Sequence, residues 1–184
     1  MPVTTPPKVF KSKLPFVVLP VIMAAVYFLQ VGQIDSFALL KYEIIAVFGY
    51  IAAVGDIKTK HIPNTLILAM LVVWVCVTAF HLLFDIQSAI PMLISSLSGF
   101  AVSGAMFLIV YLLSRKGLGG GDVKFMAVAG LYLGVGGTLT ATFIGTTLAA
   151  LVGLALVILK KIGRKDAFPL APFLYAGILV AILA

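Results

Sequence analysis

A run of 35 residues at positions 125–159 contains no charged side chain. A helix needs about 20 apolar residues to cross the hydrocarbon core of a bilayer, so this run is long enough to span a membrane. Over the whole chain 62% of the residues are hydrophobic and 10% are charged, whereas a soluble domain is about a quarter charged. Lipid is therefore the expected solvent, and we predict an all-α, multi-pass membrane helical bundle.

Apolar runs of spanning length recur along the chain. The uncharged run at 125–159 is interrupted by Gly134, Gly136 and Gly137, so we predict that it forms two segments. The chain is then expected to have about seven transmembrane segments, with six as the lower count. Their predicted bounds are 14–31, 37–55, 64–84, 89–113, 122–133, 138–159 and 168–184.

The fifth segment, residues 122–133, is short. Its length corresponds to about 18 Å of helix, against a hydrocarbon core of about 30 Å. Either the helix continues through the glycines, or the Gly-rich loop before it dips into the bilayer. Irregular backbone at membrane depth is tolerated only beside protein or a water-filled cavity, so Asp122 is expected near the membrane surface and beside water.

The basic residues set the predicted orientation. Twelve of the thirteen Lys and Arg fall in loops on one side of the predicted bundle, and Lys41 is the exception. The positive-inside rule assigns that side to the cytoplasm, with residues 1–13 as a basic cytoplasmic leader and the C-terminus outside. These residues form no stripe and no basic arm, which argues against nucleic-acid binding. We assign them to topology and to anionic lipid.

Four of the six acidic residues have simple explanations. Three are predicted at the outer membrane interface, where a solvated acid is tolerated. The fourth lies among basic residues and balances their charge. These four residues are Asp35, Glu43, Asp85 and Asp166.

The remaining acids, Asp56 and Asp122, are predicted at the cytoplasmic ends of their segments. Taken singly, Asp56 is explained as a helix-end interface residue and Asp122 as an N-cap. Two carboxylates that meet at one site do not both ionise cheaply, so one keeps a proton. Such a pair can activate water with one carboxylate and protonate a peptide carbonyl with the other. Four of the five residues at 117–121 are glycines, which permit positive φ and close backbone approach, and an N-cap alone requires neither.

Other polar residues are assigned structural roles. Pro63 is expected to start a helix that Asn64 caps, and His61 and His81 are expected at the membrane interfaces. Cys76, the single cysteine, is expected to be a buried packing residue that forms no disulfide and no zinc site. Helix packing is the expected role of four serines without a partnering Lys or His. These are Ser95, Ser96, Ser98 and Ser103.

Three blocks of residues, in order, resemble the prepilin peptidase family of bacteria, membrane aspartic proteases with a GxGD signature. The first block is Asp56 followed by Ile62-Pro63-Asn64. The second is the segment 119–124, which continues to Gly134. The third is the Pro-rich segment 168–173, which leads to Ala176-Gly177. The resemblance spans residues 37–184.

The resemblance implies a function and a site. Members cleave the basic leader of type IV prepilins and pseudopilins at the cytoplasmic border of the bacterial inner membrane, and they need no metal or organic cofactor. Asp56 and Asp122 would be the catalytic pair. Gly119, Gly121 and Lys124 would shape the site, while Pro63 and Asn64 would be structural.

The resemblance also bears on domain organisation. Larger members carry an added cytoplasmic region with paired cysteine motifs, which is linked to N-methylation of the new terminus. With Cys76 as the only cysteine, we expect a peptidase without methyltransferase, as in the short tight-adherence pilus type. The chain is expected to be one membrane domain, residues 1–184, with a peptidase-like core at 37–184.

Three other functional classes fit less well. Presenilin-type proteases also use GxGD, but their other aspartate follows a tyrosine, whereas Gly55 precedes Asp56 here. An ion-coupled transporter would use the two acids to bind a proton or cation. A catalytically silent subunit of pilus assembly would keep the fold without the chemistry.

Overall fold

The computed structural model describes residues 14–114, 118–161 and 168–184, with side chains from residue 18 onward. The described part is helical throughout and contains no strand, which confirms the predicted all-α class. α2 to α5 are long and apolar enough to cross a membrane, and α1 and α6 are shorter apolar helices. The helices are α1 (Leu14–Gln30), α2 (Ser36–Thr59), α3 (Asn64–Phe84), α4 (Ile86–Leu113), α5 (Gly120–Ile158) and α6 (Ala171–Leu183).

The fifth and sixth predicted segments correspond to the two parts of α5, which meet at Gly134, so the six helices of the described part account for all seven predicted segments. The helical backbone is interrupted at Gly134, whose φ is 65° and ψ is −173°. That conformation is almost exclusive to glycine, because a Cβ would clash there. The predicted interruption is therefore present, at the first of the three glycines.

The chain reverses direction at Gly134. The first part of α5 begins beside the cavity that contains Asp56, and α6 also begins beside Asp56, so these two helices run parallel. The second part of α5 packs antiparallel to α6, because Ala141 faces Gly177 while Gly145 faces Leu174. The first part is only about 21 Å long at 1.5 Å per residue, so it turns back before it could span a bilayer.

Close backbone contact joins α4 to the first part of α5. A Cβ on either Gly99 or Gly130 would collide with the backbone of the other helix. Small residues allow such approach and are typical of helix interfaces in membranes. The Ser103 hydroxyl adds a hydrogen bond to the Met126 carbonyl at 2.7 Å. The helix that carries Asp122 is therefore held firmly against α4.

Two long side chains tie α3 and α5 together near the interruption. A break in a helix leaves nearby carbonyls without helical partners, and in lipid such groups need replacements. The indole N–H of Trp74 donates to the Leu131 carbonyl at 3.0 Å. The Tyr132 hydroxyl donates to the Met70 carbonyl at 2.5 Å. Neighbouring helices thus stabilise the broken part of α5.

The outer surface of the bundle is apolar. Large aliphatic side chains are widely exposed, among them Leu83 at 83% and Leu113 at 78%. A soluble protein would not leave so many apolar side chains in water, so this surface is the expected lipid contact. Cys76 is also exposed on α3, and the prediction that it is buried was wrong because its side of the helix faces outward.

Two acids predicted as interface charges cap helices at the end of the bundle away from Asp56. Asp35 accepts a hydrogen bond from the Phe37 N–H at 2.9 Å and caps α2. Asp85 is the N-cap of α4, where the hydroxyl of Ser88 donates to it at 2.8 Å. This hydrogen bond is the largest cause of a pKa for Asp85 below its ordinary value. Both residues are exposed, as predicted.

Three other polar residues differ from their predicted environments. Glu43 was expected to be solvated, but both of its carboxylate oxygens are buried and have no hydrogen-bond partner within the described ranges. His81 is buried instead of lying at the interface, because its ring stacks on Phe37 at 3.9 Å between centroids. Ser96 accepts a hydrogen bond from Lys41 at 2.7 Å, so the assumption that it lacks a lysine partner was wrong.

Some predictions fall outside the described residues. Asp166 is one of these, as are the leader at 1–13 and several basic residues of the loops. The orientation of the bundle and the assignment of 1–184 to one domain therefore stay predictions.

Candidate active site

A cavity of about 280 Å³ lies where α2 ends and where α3 and α5 begin. Both predicted catalytic aspartates line it. The other predicted site residues also line the cavity, except for Pro63. Further lining residues had no site role predicted from the sequence. The lining residues are Asp56, Lys60, His61, Ile62, Asn64, Gly119, Gly120, Gly121, Asp122 and Lys124.

Asp56 occupies the last turn of α2 and is 5% exposed. Its Oδ2 atom accepts a hydrogen bond from the backbone N–H of Ala171 at 3.0 Å. The first N–H groups of a helix have no partner within the helix and favour a negative charge, so the start of α6 suits this carboxylate. α2 ends just beyond, because Lys60 takes a left-handed conformation and its N–H closes on the Asp56 carbonyl at 2.7 Å.

Asp122 lies in the first turn of α5 but does not cap it. Gly119 is the N-cap, with an extended backbone and no side-chain cap, so the interpretation of Asp122 as an N-cap was wrong. Its Oδ1 atom is buried and has no hydrogen-bond partner among the residues that the structure describes. A buried unpaired polar atom costs about 1–3 kcal/mol. This oxygen is therefore well suited to bind water or a substrate group.

The glycines before Asp122 serve close approach and not positive φ. No described glycine between 118 and 122 has a positive φ, so that part of the prediction was wrong. A Cβ at Gly119 would lie 2.7 Å from Asp122 Oδ2, and a Cβ at Gly121 would lie 3.2 Å from Ile62 Cβ. At Gly120 a Cβ would meet nothing within 4 Å. The lack of a Cβ at Gly119 and at Gly121 thus leaves room for the Asp122 carboxylate and for Ile62 respectively, and a role of these two glycines in shaping a functional site stays a prediction.

Lys124 and Asn64 join the two helices that start at the cavity. The Lys124 ammonium group donates to Asn64 Oδ1 at 3.1 Å. Asn64 is the first residue of α3 and Pro63 is its N-cap, so the prediction that Asn64 caps the helix was wrong. Pro63 does stand at the helix start, as predicted. Both partners of the hydrogen bond are exposed at the mouth of the cavity, where its contribution to stability is small.

Sequence reasoning missed three contributors to the site. His61 was assigned to the interface and Lys60 to the orientation of the chain, but both line the cavity. The third contributor is the Ala171 N–H, 115 residues from Asp56. The Pro-rich block at 168–173 was the available signal, since it starts the helix that delivers this donor.

The geometry favours acid–base chemistry by two carboxylates. Like charges in one small cavity repel each other, and a shared proton relieves the repulsion. Asp56 is anchored by a backbone donor, while Asp122 keeps one oxygen unpaired. Hydrolysis of a peptide bond is catalysed by one group that takes a proton from water and one that gives a proton to the carbonyl oxygen. In the described ranges, no three His, Cys, Asp or Glu side chains are grouped as ligands for a metal ion.

The fold and the cavity define a multi-pass helical membrane protein with an aspartate pair at one end of its bundle. Membrane aspartic proteases have this combination of features. The chain belongs to the type IV leader peptidase family, whose model matches residues 43–154. The match contains both aspartates and the first two of the three sequence blocks, and it confirms the predicted family.

Similarity to curated proteins supports the same family membership. The chain is 32% identical over 134 residues to a prepilin leader peptidase/N-methyltransferase of Bacillus subtilis, and the match covers 72% of this chain and 51% of that protein. It is 27% identical over 139 residues to a protein of the same name from Burkholderia pseudomallei, with 72% and 44% covered. The chain spans about half the length of the curated relatives it matches. No solved structure matches it.

Proposed function

We propose that this chain is a membrane-embedded aspartic endopeptidase that removes the basic leader of type IV prepilins or pseudopilins. The observation that carries the proposal is that Asp56 and Asp122 line one cavity. Family membership supports the substrate class, because the matched family is that of type IV leader peptidases. The tight-adherence pilus type is the expected subgroup.

In the proposed mechanism the two carboxylates share the work of peptide hydrolysis. One removes a proton from a water molecule, which attacks the scissile carbonyl carbon. The other donates a proton to the carbonyl oxygen as the tetrahedral intermediate forms. As the C–N bond breaks, the carboxyl that took a proton from water gives it to the leaving nitrogen. The other carboxylate takes back a proton from a hydroxyl of the intermediate, so the pair ends with the one proton it had at the start. The Ala171 N–H holds Asp56 in position throughout.

We propose that the exposed residues at the mouth of the cavity admit the substrate peptide. Gly119 has no side chain beside Asp122 Oδ2, so an extended peptide can approach this carboxylate closely. Lys124 and Asn64 shape the edge of the cavity. The substrate helix lies in the bilayer, and its leader extends to the cytoplasmic face.

The proposal also covers the membrane and orientation of the enzyme and the absence of a second activity. We place it in the bacterial inner membrane, with the cavity and the N-terminus on the cytoplasmic side, because the basic loops share that side. We also propose peptidase activity without N-methyltransferase activity. Mass spectrometry of the processed pilin tests the latter, since a methylated N-terminus would contradict it.

Co-expression with a candidate prepilin tests the proteolytic function. We expect wild type to produce the shorter mature pilin, and Asp56→Asn and Asp122→Asn each to leave the precursor uncut at normal protein level. Asp85→Asn is the matched control, because it makes the same chemical change at the opposite end of the bundle and Asn is also a good N-cap. The control should cleave like wild type.

Other outcomes point to other functions. Normal cleavage by both cavity variants contradicts the proposal and favours a silent subunit of pilus assembly. Lost ion flux in the two variants, with every leader unaffected, favours an ion-coupled transporter. Detection requires only gel separation of precursor from mature pilin and a flux assay in vesicles.

A further inference from the structure

A second cavity, of about 230 Å³, lies between α2, α4 and the end of the first part of α5. We call it the Lys41 cavity. The residues that matter for its chemistry are Ala38, Lys41, Ser95, Ser96, Tyr132 and Gly134. It is separate from the cavity of the aspartates, with which it shares no lining residue.

The Lys41 side chain is buried in this cavity. It is 5% exposed, and its Nζ atom donates to Ser96 Oγ at 2.7 Å. Ser96 itself is 2% exposed. Over residues 14–114, 118–161 and 168–184, the structure gives Lys41 no carboxylate partner. An ammonium group has three N–H donors, and a serine hydroxyl satisfies one of them.

A buried charge without a counter-ion is costly, and proteins normally pair it with an opposite charge. None of the acids near this end of the bundle does so. Asp35 and Asp85 cap helices, and the Glu43 oxygens are buried without a hydrogen-bond partner in the described part of the chain. An anion from outside the chain would supply the missing opposite charge.

The position of the cavity limits the source of that anion. Lys41 lies about 22 Å along α2 from Asp56 at 1.5 Å per residue, and about 8 Å from the start of the helix. Headgroups lie just beyond the ends of the hydrocarbon core, so a lipid phosphate would be within reach. Exposed apolar residues such as Leu40 and Ile94, next in sequence to lining residues, offer contact surface for acyl chains.

We propose that the Lys41 cavity binds the phosphate of an anionic phospholipid from the leaflet opposite the aspartate pair. The ammonium group of Lys41 supplies the charge, and the hydroxyls of Ser95 and Ser96 are available to donate hydrogen bonds to the phosphate oxygens. Charge-assisted hydrogen bonds of this kind are the strong ones. The proposal does not depend on the proteolytic function, because it rests on different residues.

Thermal unfolding of the purified full chain in detergent tests this site. Phosphatidylglycerol is expected to raise the unfolding midpoint of wild type, because a ligand that binds only the folded state stabilises it. Lys41→Met should lose about tenfold in apparent affinity for this lipid. Lys58→Met is the control for the general attraction of exposed basic residues to anionic lipid, since Lys58 is an exposed lysine at the other end of α2, and it should lose much less affinity than Lys41→Met.

Two further arms identify the ligand. Diacylglycerol, which lacks phosphate, should leave the midpoint unchanged. Inorganic phosphate should have little effect; an effect as large as that of the lipid would support the phosphate site with a soluble anion as its occupant. An equal response of wild type and Lys41→Met to phosphatidylglycerol would overturn the proposal, as would no response at all in wild type.

A second variant keeps the test decisive if Lys41→Met does not fold. Ala38→Leu adds volume to the lining of the cavity and leaves Lys41 in place. The lipid response should be lost in this variant too. A retained response would contradict binding inside the cavity.

Discussion

The Oδ2 atom of Asp56 accepts a hydrogen bond from the backbone N–H of Ala171, which lies 115 residues further along the chain, at 3.0 Å. The contact joins the last turn of α2 to the first turn of α6. Both residues are buried, so water does not readily replace either partner. The same bond therefore contributes to stability and fixes the direction of a proposed catalytic carboxylate.

Two substitutions of Asp56 separate these contributions. Asp56→Asn keeps an oxygen that can accept from Ala171, so its free energy of unfolding should stay close to that of wild type. Asp56→Ala leaves a buried N–H without a partner and should lower that free energy by about 1–3 kcal/mol. Both should abolish cleavage of a prepilin. Thermal unfolding in detergent alongside a cleavage assay checks this, and equal stability of the two variants would contradict the role of the hydrogen bond.

Gly119→Ala should impair the enzyme without unfolding it. The new Cβ would lie 2.7 Å from Asp122 Oδ2, so the carboxylate must move. A displacement of about 1 Å in a catalytic group can cost on the order of 100-fold in rate. Gly119 lies at the exposed start of α5, so the unfolding midpoint should change little. The measurement is the initial rate of prepilin cleavage at matched protein level.

Gly120→Ala is the control for this prediction. A Cβ at this position meets nothing within 4 Å, and alanine favours a helix over glycine by about 0.8–1.0 kcal/mol. Cleavage should stay near the wild-type rate with equal or higher stability. A similar loss of rate in both variants would mean that the segment needs flexible glycines, and the steric explanation for Gly119 would fail.

Much of the fold follows from the sequence because lipid imposes simple rules on it. Long uncharged runs fix where helices lie, and the first four predicted segments overlap α1 to α4. The pair Asp56 and Asp122 was also predictable, since Asp56 comes directly after one apolar run and Asp122 shortly before another. The exact role of Gly134 was less predictable. Three glycines marked the interruption, but only the backbone conformation, with a φ of 65° at Gly134, shows which of them reverses the chain.

Long-range contacts explain most of what the sequence could not predict. The Ala171 N–H carries no side-chain signal, and its meeting with Asp56 depends on how α6 packs against α2. Ser96 was assigned to packing because no lysine is near it in sequence, yet Lys41 reaches it from another helix. Local patterns predict helices and their ends, whereas hydrogen bonds between helices depend on the packed bundle.

Gly134→Ala should destabilise the bundle. Its φ of 65° and ψ of −173° suit glycine alone, and a Cβ would lie 2.5 Å from Ser95 Oγ. Strain in such a conformation costs about 1–3 kcal/mol, so the unfolding midpoint should fall clearly. Gly136→Ala is the control, because a Cβ there meets nothing within 4 Å and should be neutral or stabilising. Chemical unfolding of both variants in detergent checks this, and a neutral Gly134→Ala would show that the chain can turn without glycine.

Lys124→Met and Asn64→Ala should each slow cleavage severalfold while leaving stability within about 0.5 kcal/mol of wild type, because the hydrogen bond between them is exposed. If the bond positions the edge of the cavity, the double variant should be no slower than the worse single variant, since the second change removes a contact already lost. Rates of prepilin cleavage by the four proteins complete this cycle. Additive losses would mean that the two side chains act independently, for instance by separate contacts with the substrate. Lys161→Met, at an exposed lysine outside the cavity lining, controls for the loss of one positive charge and should cleave like wild type.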